Sequence, residues 1–214
     1  MPRRMKDVLA RQALEGLIGR VEEMTTLLRC VEEESPFVVQ VHGIGGVGKS
    51  ALVKAFASRA QELGAVVIVL DSPLMEPTER GFLHELGHAI GIDTPSLQEV
   101  VDRLEGLGPR VFLVLETYEL FRLKDTWLRQ RFVPALTDNI RLILVGREPP
   151  TPGWLTAPEW QGLFSSLPLG PLGHNDAVTL LQGAGVSEEN SDRINRFAQG
   201  HPLTLKLAAS AALE

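Results

Sequence analysis

Cysteine occurs once in the 214 residues, as Cys30, so no disulfide can close within the chain, and a reducing, cytoplasmic setting is the expectation. Apolar runs are short: none approaches the ~18 residues that a membrane-spanning helix needs. Aromatic residues are scarce at 6%, and Trp127, Trp154 and Trp160 read as packing residues in place of base-stacking platforms. Positive charge is outnumbered, 21 Lys and Arg against 27 Asp and Glu. The net charge of −6 argues against a surface that coats nucleic acid, a local patch apart. Low-complexity tracts and internal repeats are also missing. The opening stretch "MPRRMKDVLARQ" is basic but lacks the apolar core of a signal peptide, and reads as a solvated helix or linker end.

What the chain has is alternation, with 44% apolar residues to build a core. Short β-branched or continuous apolar runs stand at "FVVQVHG" (37–43), "AVVIVLD" (65–71), "RVFLVLE" (110–116) and "IRLILVG" (140–146), with a weaker one in "LFSSLPLG" (163–170). The second run is continuous, the pattern of a strand buried on both faces. Helical periodicity fills the gaps at 51–63, 78–91, 96–107 and about 125–137. Strands alternating with helices predict an α/β fold, a five-stranded mostly parallel sheet covered by helices. From Gly173 onward three helical patterns follow without a strand. The expected organisation is an N-terminal helical arm over 1–35, a nucleotide-binding domain over 36–172, and a small helical subdomain over 173–214.

The sharpest motif is "GIGGVGKS" at 43–50, a G-x-x-x-x-G-K-[ST] phosphate loop placed between the first strand and the first long helix. Glycines let the backbone curl so that successive N–H groups face phosphate oxygens, and the following helix aims its N-terminal dipole at the same charge. Gly43, Gly45, Gly46, Val47, Gly48, Lys49, Ser50 and Ala51 form the expected cradle for ATP or ADP. Lys49 is the point charge on the outer phosphates, and the Ser50 hydroxyl is a Mg²⁺ ligand. A second strand should then end in an acid for the metal shell. "VFLVLETYEL" supplies Glu116, where the usual residue is Asp. Thr117 follows where many hydrolysing ATPases keep a second acid, so Glu119 becomes the candidate catalytic base. Binding is thus better supported than fast hydrolysis. Arg147, just past the strand "ILVG", is the candidate sensor of a terminal phosphate.

A competing motif needs settling. "HELGH" at 84–88 is H-E-x-x-H, which puts two zinc ligands on one helix face with a glutamate base. Gly91 continues a metzincin pattern, but the third ligand position is Thr94, and no methionine follows Met75 to make the required turn. Phe82, Leu83, Leu86, Ala89 and Ile90 form one apolar stripe, leaving His84 and His88 on nearly the opposite face. A zinc peptidase is therefore not the expectation. "DSPLMEPTER" (71–80) reads as a plain loop, "REPPTPGW" (147–154) as a stiff loop near the sensor position, His42 as a strand-end packing residue, and Cys30 as inert.

Taken in order, these stretches resemble the nucleotide-binding module of the STAND class of signal-transduction ATPases, a branch of the AAA+-like P-loop proteins that includes NB-ARC, NACHT and bacterial members. "LIGRVEEM" (17–24) resembles the F-V-G-R-E-x-E-L motif, "VHGIGGVGKSALV" the Walker A, "LVLETYE" the Walker B with Glu for Asp, "ILVGR" the sensor strand, and "GHPLTLKLAA" (200–209) the G-x-P-L-x-L motif. The resemblance implies that Ile18 and Arg20 contact the nucleotide base and that Pro202 packs against the nucleotide. It also implies an ATP/ADP switch with slow hydrolysis, self-association in the full protein, and sensor and effector domains outside this chain. A nucleotide-stabilised scaffold and an AAA+-type DNA-loading ATPase are the alternatives. Acidic composition disfavours nucleic acid as a partner, and no guanine-recognition motif points to GTP.

Overall fold

The computed structural model describes residues 17–32, 36–71 and 75–213. Its order is α1 (Val21–Glu32), β1 (Val38–His42), α2 (Lys49–Glu62), β2 (Val66–Asp71), α3 (Glu79–Ile90), α4 (Leu97–Glu105), β3 (Val111–Glu116), β4 (Ile140–Gly146), β5 (Phe164–Pro168), α5 (His174–Gly183), α6 (Glu188–Ala198) and α7 (Pro202–Leu213). The five strands form one sheet in the order β2-β3-β4-β1-β5, and all four pairings are parallel. This is the α/β architecture that the alternating pattern predicts. Residues 1–16, with the basic opening stretch and half of the expected N-terminal arm, lie outside the described residues, as do residues 72–74 of the 71–80 loop.

The order of strands explains one departure. Continuous apolarity predicts β2 buried on both faces, yet β2 is an edge strand, and its Val69 is half exposed. β3 and β4 lie inside the sheet and are buried almost throughout. Period-two alternation then divides their side chains. Val111, Leu113 and Leu115 face a core with Phe82 and Leu86 of α3 and Val100 and Leu104 of α4. Phe112 and Val114 face the opposite core, with Leu27 and Cys30 of α1 and Leu52, Val53 and Phe56 of α2. A third cluster unites Leu172, Ala177, Leu181, Leu205 and Ala209 from α5, α7 and the linker before them.

The stretch after β3 also departs from expectation. Helical structure begins at Tyr118, not near 125, as a 3-10 turn over Tyr118–Lys124. An α turn over Asp125–Trp127, a π turn over Leu128–Phe132 and an α turn over Val133–Ala135 complete it. Thr117 starts it with a left-handed backbone, φ 55°, unusual for a β-branched residue. Among the described residues no helix is long and apolar enough to cross a membrane.

Candidate nucleotide site

In a parallel sheet every strand delivers its carboxyl end to one edge, and there the loops collect. β1 runs into Gly43, where a side chain has no room: an ideal Cβ would lie 2.3 Å from the Leu169 carbonyl oxygen. The loop then curls through Gly46 (φ 77°) and Gly48 (φ 104°), and Gly48 caps α2. Both values lie in the left-handed region that favours glycine. Val47 is fully buried and anchors the loop from below. The N-terminus of the 14-residue α2 carries free N–H groups and the positive end of its dipole.

Lys49 reaches back over this loop, its Nζ donating to the carbonyls of Gly43 (2.7 Å) and Ile44 (3.0 Å). Burial lowers its pKa, and neighbouring Arg147 acts in the same direction, while Glu119 and Glu116 oppose them. Those neighbours place the lysine among the other predicted site residues. Ser50 Oγ donates to the Glu116 carboxylate at 3.0 Å across a sequence separation of 66 residues. Glu119 Oε2 accepts the backbone N–H of Arg147 at 3.2 Å, and its Oε1 lies 3.5 Å from Arg147 Nε. Glu119 is largely buried and Arg147 mostly exposed. The Arg147 guanidinium lies beside Gly45, within 4 Å of where a Cβ would stand. The structure thus brings Lys49, Ser50, Glu116, Glu119 and Arg147 to one end of the sheet. Ala51 follows on the exposed side of α2.

The residues assigned by resemblance occupy the rim. Arg20 is buried, and its Nη2 donates to the carbonyls of Val47 (3.1 Å) and Gly170 (2.6 Å) while Nη1 pairs with Glu23 at 2.8 Å. It therefore braces the phosphate loop against the segment after β5. Ile18 packs against the helical cluster. Pro202 is the first residue of α7, preset for a helix start.

Three residues escaped the sequence reading. His201 Nε2 meets the Gly45 carbonyl at 2.9 Å, and Leu203 N–H donates to Gly46 O at 3.3 Å, so α7 begins directly on the phosphate loop. Because a carbonyl only accepts, Nε2 carries the proton, which leaves Nδ1 to accept from Thr204. The only hint in sequence is its place beside Pro202. Asp71 stands opposite Glu116 in the β2–β3 register, and the Thr117 hydroxyl donates to it at 3.4 Å. Pairing of the strands, invisible locally, puts this acid beside the position where Thr117 replaces one.

The HELGH stretch lies elsewhere. His84 and His88 are exposed on α3, and His84 pairs with Glu85 at 3.6 Å. Phe82, Leu86 and Ile90 are buried as the stripe predicts, but Ala89 is exposed; Gly87 takes the buried place, packed against Pro95. Among the described residues no group of three or more His, Cys, Asp or Glu side chains is arranged to hold a metal ion. Mg²⁺ asks less of the protein, since it is commonly held by one or two protein oxygens together with phosphate and water. The Ser50 hydroxyl and Glu116 carboxylate, 3.0 Å apart beside the loop, fit that requirement.

The sheet order, with β4 between the phosphate-loop strand and the strand ending in Glu116, defines the chain as a P-loop ATPase fold. No family model and no curated protein matches the chain. Solved structures do. The ORC1 protein of Aeropyrum pernix, in complex with DNA, superposes with a TM-score of 0.64 and 16% identity, over 91% of this chain and 59% of that one. Cdc6p from Pyrobaculum aerophilum gives 0.64 and 16%, over 91% and 62%. The Thermotoga maritima RuvB Holliday junction branch migration motor gives 0.55 and 16%, over 90% and 61%. The chain spans about six tenths of the length of these proteins. Likeness at such identities concerns the fold alone.

Proposed function

We propose that this chain is a Mg·ATP-binding AAA+-type module that hydrolyses ATP slowly and reports its nucleotide state through the helical bundle. One observation carries the proposal: the loop hydroxyl of Ser50 and the strand-end carboxylate of Glu116 meet at 3.0 Å beside Lys49. In this reading the loop amides and Lys49 bind the phosphates, while Ser50 and Glu116 hold Mg²⁺. When bound, the metal neutralises charge on the phosphate oxygens. Arg147 senses the terminal phosphate, and Glu119 orients the attacking water. Ile18, Arg20 and Pro202 shape the base end of the site, Arg20 by holding the loop in place. The boundaries at 35/36 and 172/173, self-association in the full protein and a cytoplasmic setting belong to the same proposal.

Two outputs remain from the motifs. ATP-driven loading or remodelling of DNA is favoured by the likeness to ORC1 and ORC structures solved with DNA and to a branch migration motor. A STAND-type signalling switch rests on the ordered sequence motifs. The net charge of −6 weighs against the DNA output without a basic patch. Nucleotide recovered from denatured protein after Mg·ATP loading tests the core proposal, with Lys49→Ala as the comparison. Bound ATP or ADP in the wild type and none in Lys49→Ala is expected. Equal nucleotide content in both would overturn the phosphate-loop assignment. Salt-sensitive binding of duplex DNA, or its stimulation of turnover, decides between the outputs.

A further inference from the structure

The loop bearing Glu119 leaves β3, and the loop bearing Arg147 leaves β4. They touch through the Glu119–Arg147 bonds, and a second tie lies behind that contact. Asp125 is buried, and three donors from both sides converge on its carboxylate. Tyr118 Oη donates to Oδ1 at 2.5 Å and Trp154 Nε1 to the same oxygen at 2.6 Å, while Thr151 Oγ1 donates to Oδ2 at 2.8 Å. Tyr118 immediately precedes Glu119. Thr151 ends the loop that begins with Arg147, and Trp154 lies on the short helix Pro152–Thr156 that follows, wedged against Trp160 and Phe164. A carboxylate in hydrogen bonds of this length is strongly directional, because each partner is charge-assisted. Between the two ties runs a small cavity lined by Gln40, Tyr118, Glu119, Arg122 and Glu148. Across it Gln40 Nε2 holds the Glu148 carbonyl at 3.1 Å, and Arg122 pairs with the Glu148 carboxylate.

We propose that Asp125 is a positioning residue for the nucleotide reaction: by gripping Tyr118 on one side and Thr151 and Trp154 on the other, it sets the spacing of Glu119 and Arg147. The inference rests on the nucleotide-binding function proposed above. It assigns a role in chemistry to a carboxylate that never meets the nucleotide. Burial raises the Tyr118 hydroxyl pKa, with the Asp125 charge adding to it, so the tyrosine stays a donor across the working pH range. Displacing a reacting group by about 1 Å costs on the order of 10²-fold in rate. Loosening one arm of the tie should therefore act on turnover and on discrimination of ATP from ADP. It should leave alone the grip on the shared phosphates, which the glycine loop and Lys49 supply.

The test compares wild type, Thr151→Val, Thr151→Ser and Asp125→Ala in single-turnover ATP hydrolysis and in separate ADP and ATP titrations. Thr151→Val is expected to bind ADP within about 3-fold of wild type while hydrolysis slows about 10-fold and the ATP-to-ADP affinity ratio moves toward one. Thr151→Ser, which keeps the hydroxyl, restores both. Asp125→Ala deepens the same pattern, and Thr151→Val carries the test if Asp125→Ala fails to fold. Hydrolysis and affinity ratio within 2-fold of wild type in Thr151→Val would overturn the proposal. A parallel fall in ADP affinity and rate would also overturn it, because that is the signature of general loosening. A wild type that binds neither nucleotide overturns the functional assignment itself, a different result from a binding wild type with an indifferent Thr151→Val.

Discussion

Replacing Gly46 by alanine probes how the helical bundle is held on the phosphate loop. The backbone there has φ 77°, and a non-glycine residue in the left-handed region costs about 1–2 kcal/mol. The added Cβ would lie 2.8 Å from both His201 Cε1 and Leu203 Cβ, against a comfortable carbon–carbon separation of about 3.5–4.0 Å. One obstructing atom belongs to the residue before α7 and the other to its first turn, so relief requires the helix to move away by roughly 1 Å. That movement stretches the 2.9 Å His201–Gly45 contact and the 3.3 Å Leu203–Gly46 bond past useful length. At about 0.5–1.5 kcal/mol each, their loss weakens docking by about 1–3 kcal/mol. Amide exchange at the start of α7 should accelerate about 5- to 150-fold, read by hydrogen–deuterium exchange with mass spectrometry. His201→Ala removes one bond without the clash and should sit near the low end. Unchanged exchange over Leu203–Leu205 in Gly46→Ala would refute the reasoning, because the alanine would then be accommodated by the loop alone.

Other sites yield sharper single readouts. Glu116→Gln keeps the size but not the charge beside Ser50, so nucleotide affinity should lose most of its Mg²⁺ dependence while metal-free binding persists; calorimetry with and without Mg²⁺ checks this. Phe82→Ala empties a fully buried site against Phe121, Trp127 and Phe132, and should lower unfolding free energy by about 3–5 kcal/mol in a urea titration. Burial holds the Tyr118 proton on in the fold, whereas an unfolded tyrosine releases it near pH 10. The contribution is complete below that pH and declines above it, since the unfolded chain then binds one proton fewer, with a slope of about 1.4 kcal/mol per pH unit. Tyr118→Phe removes this component, so comparing the two urea-unfolding curves between about pH 9.5 and 11 isolates it.

What the sequence made legible follows from how local each feature is. β1, β3, β4 and the loop between β1 and α2 declare themselves because a buried strand must be apolar and a phosphate loop must be glycine-rich, whatever surrounds them. The edge status of β2 was hidden, since Val66–Leu70 is as apolar as a central strand and only pairing decides which strand ends the sheet. The 3-10 turn at Tyr118 was missed because Thr117 initiates it from a left-handed backbone that threonine seldom adopts. Nothing in the local sequence sets Asp125 apart from the other acids. Its partners at 118, 151 and 154 meet it only after β3 and β4 have paired and returned both loops to one edge.

The same long-range assembly bears on why turnover should be slow. In the proposed site Glu119 is the acid available to orient water, yet Arg147 occupies both of its oxygens, one through the backbone N–H and one through Nε. Thr117, in the place where a second acid is common, is turned toward Asp71 on the edge strand. An arginine that swings toward a terminal phosphate gives up its side-chain contact with Glu119, and one carboxylate oxygen is released for water. Sensing and base function are then linked through a single contact, and Asp125 fixes where that contact is made. The backbone bond from Arg147 survives the swing and keeps Glu119 from drifting with the guanidinium. Only in the ATP state would the carboxylate be both anchored and free, which makes hydrolysis conditional on the sensor having engaged.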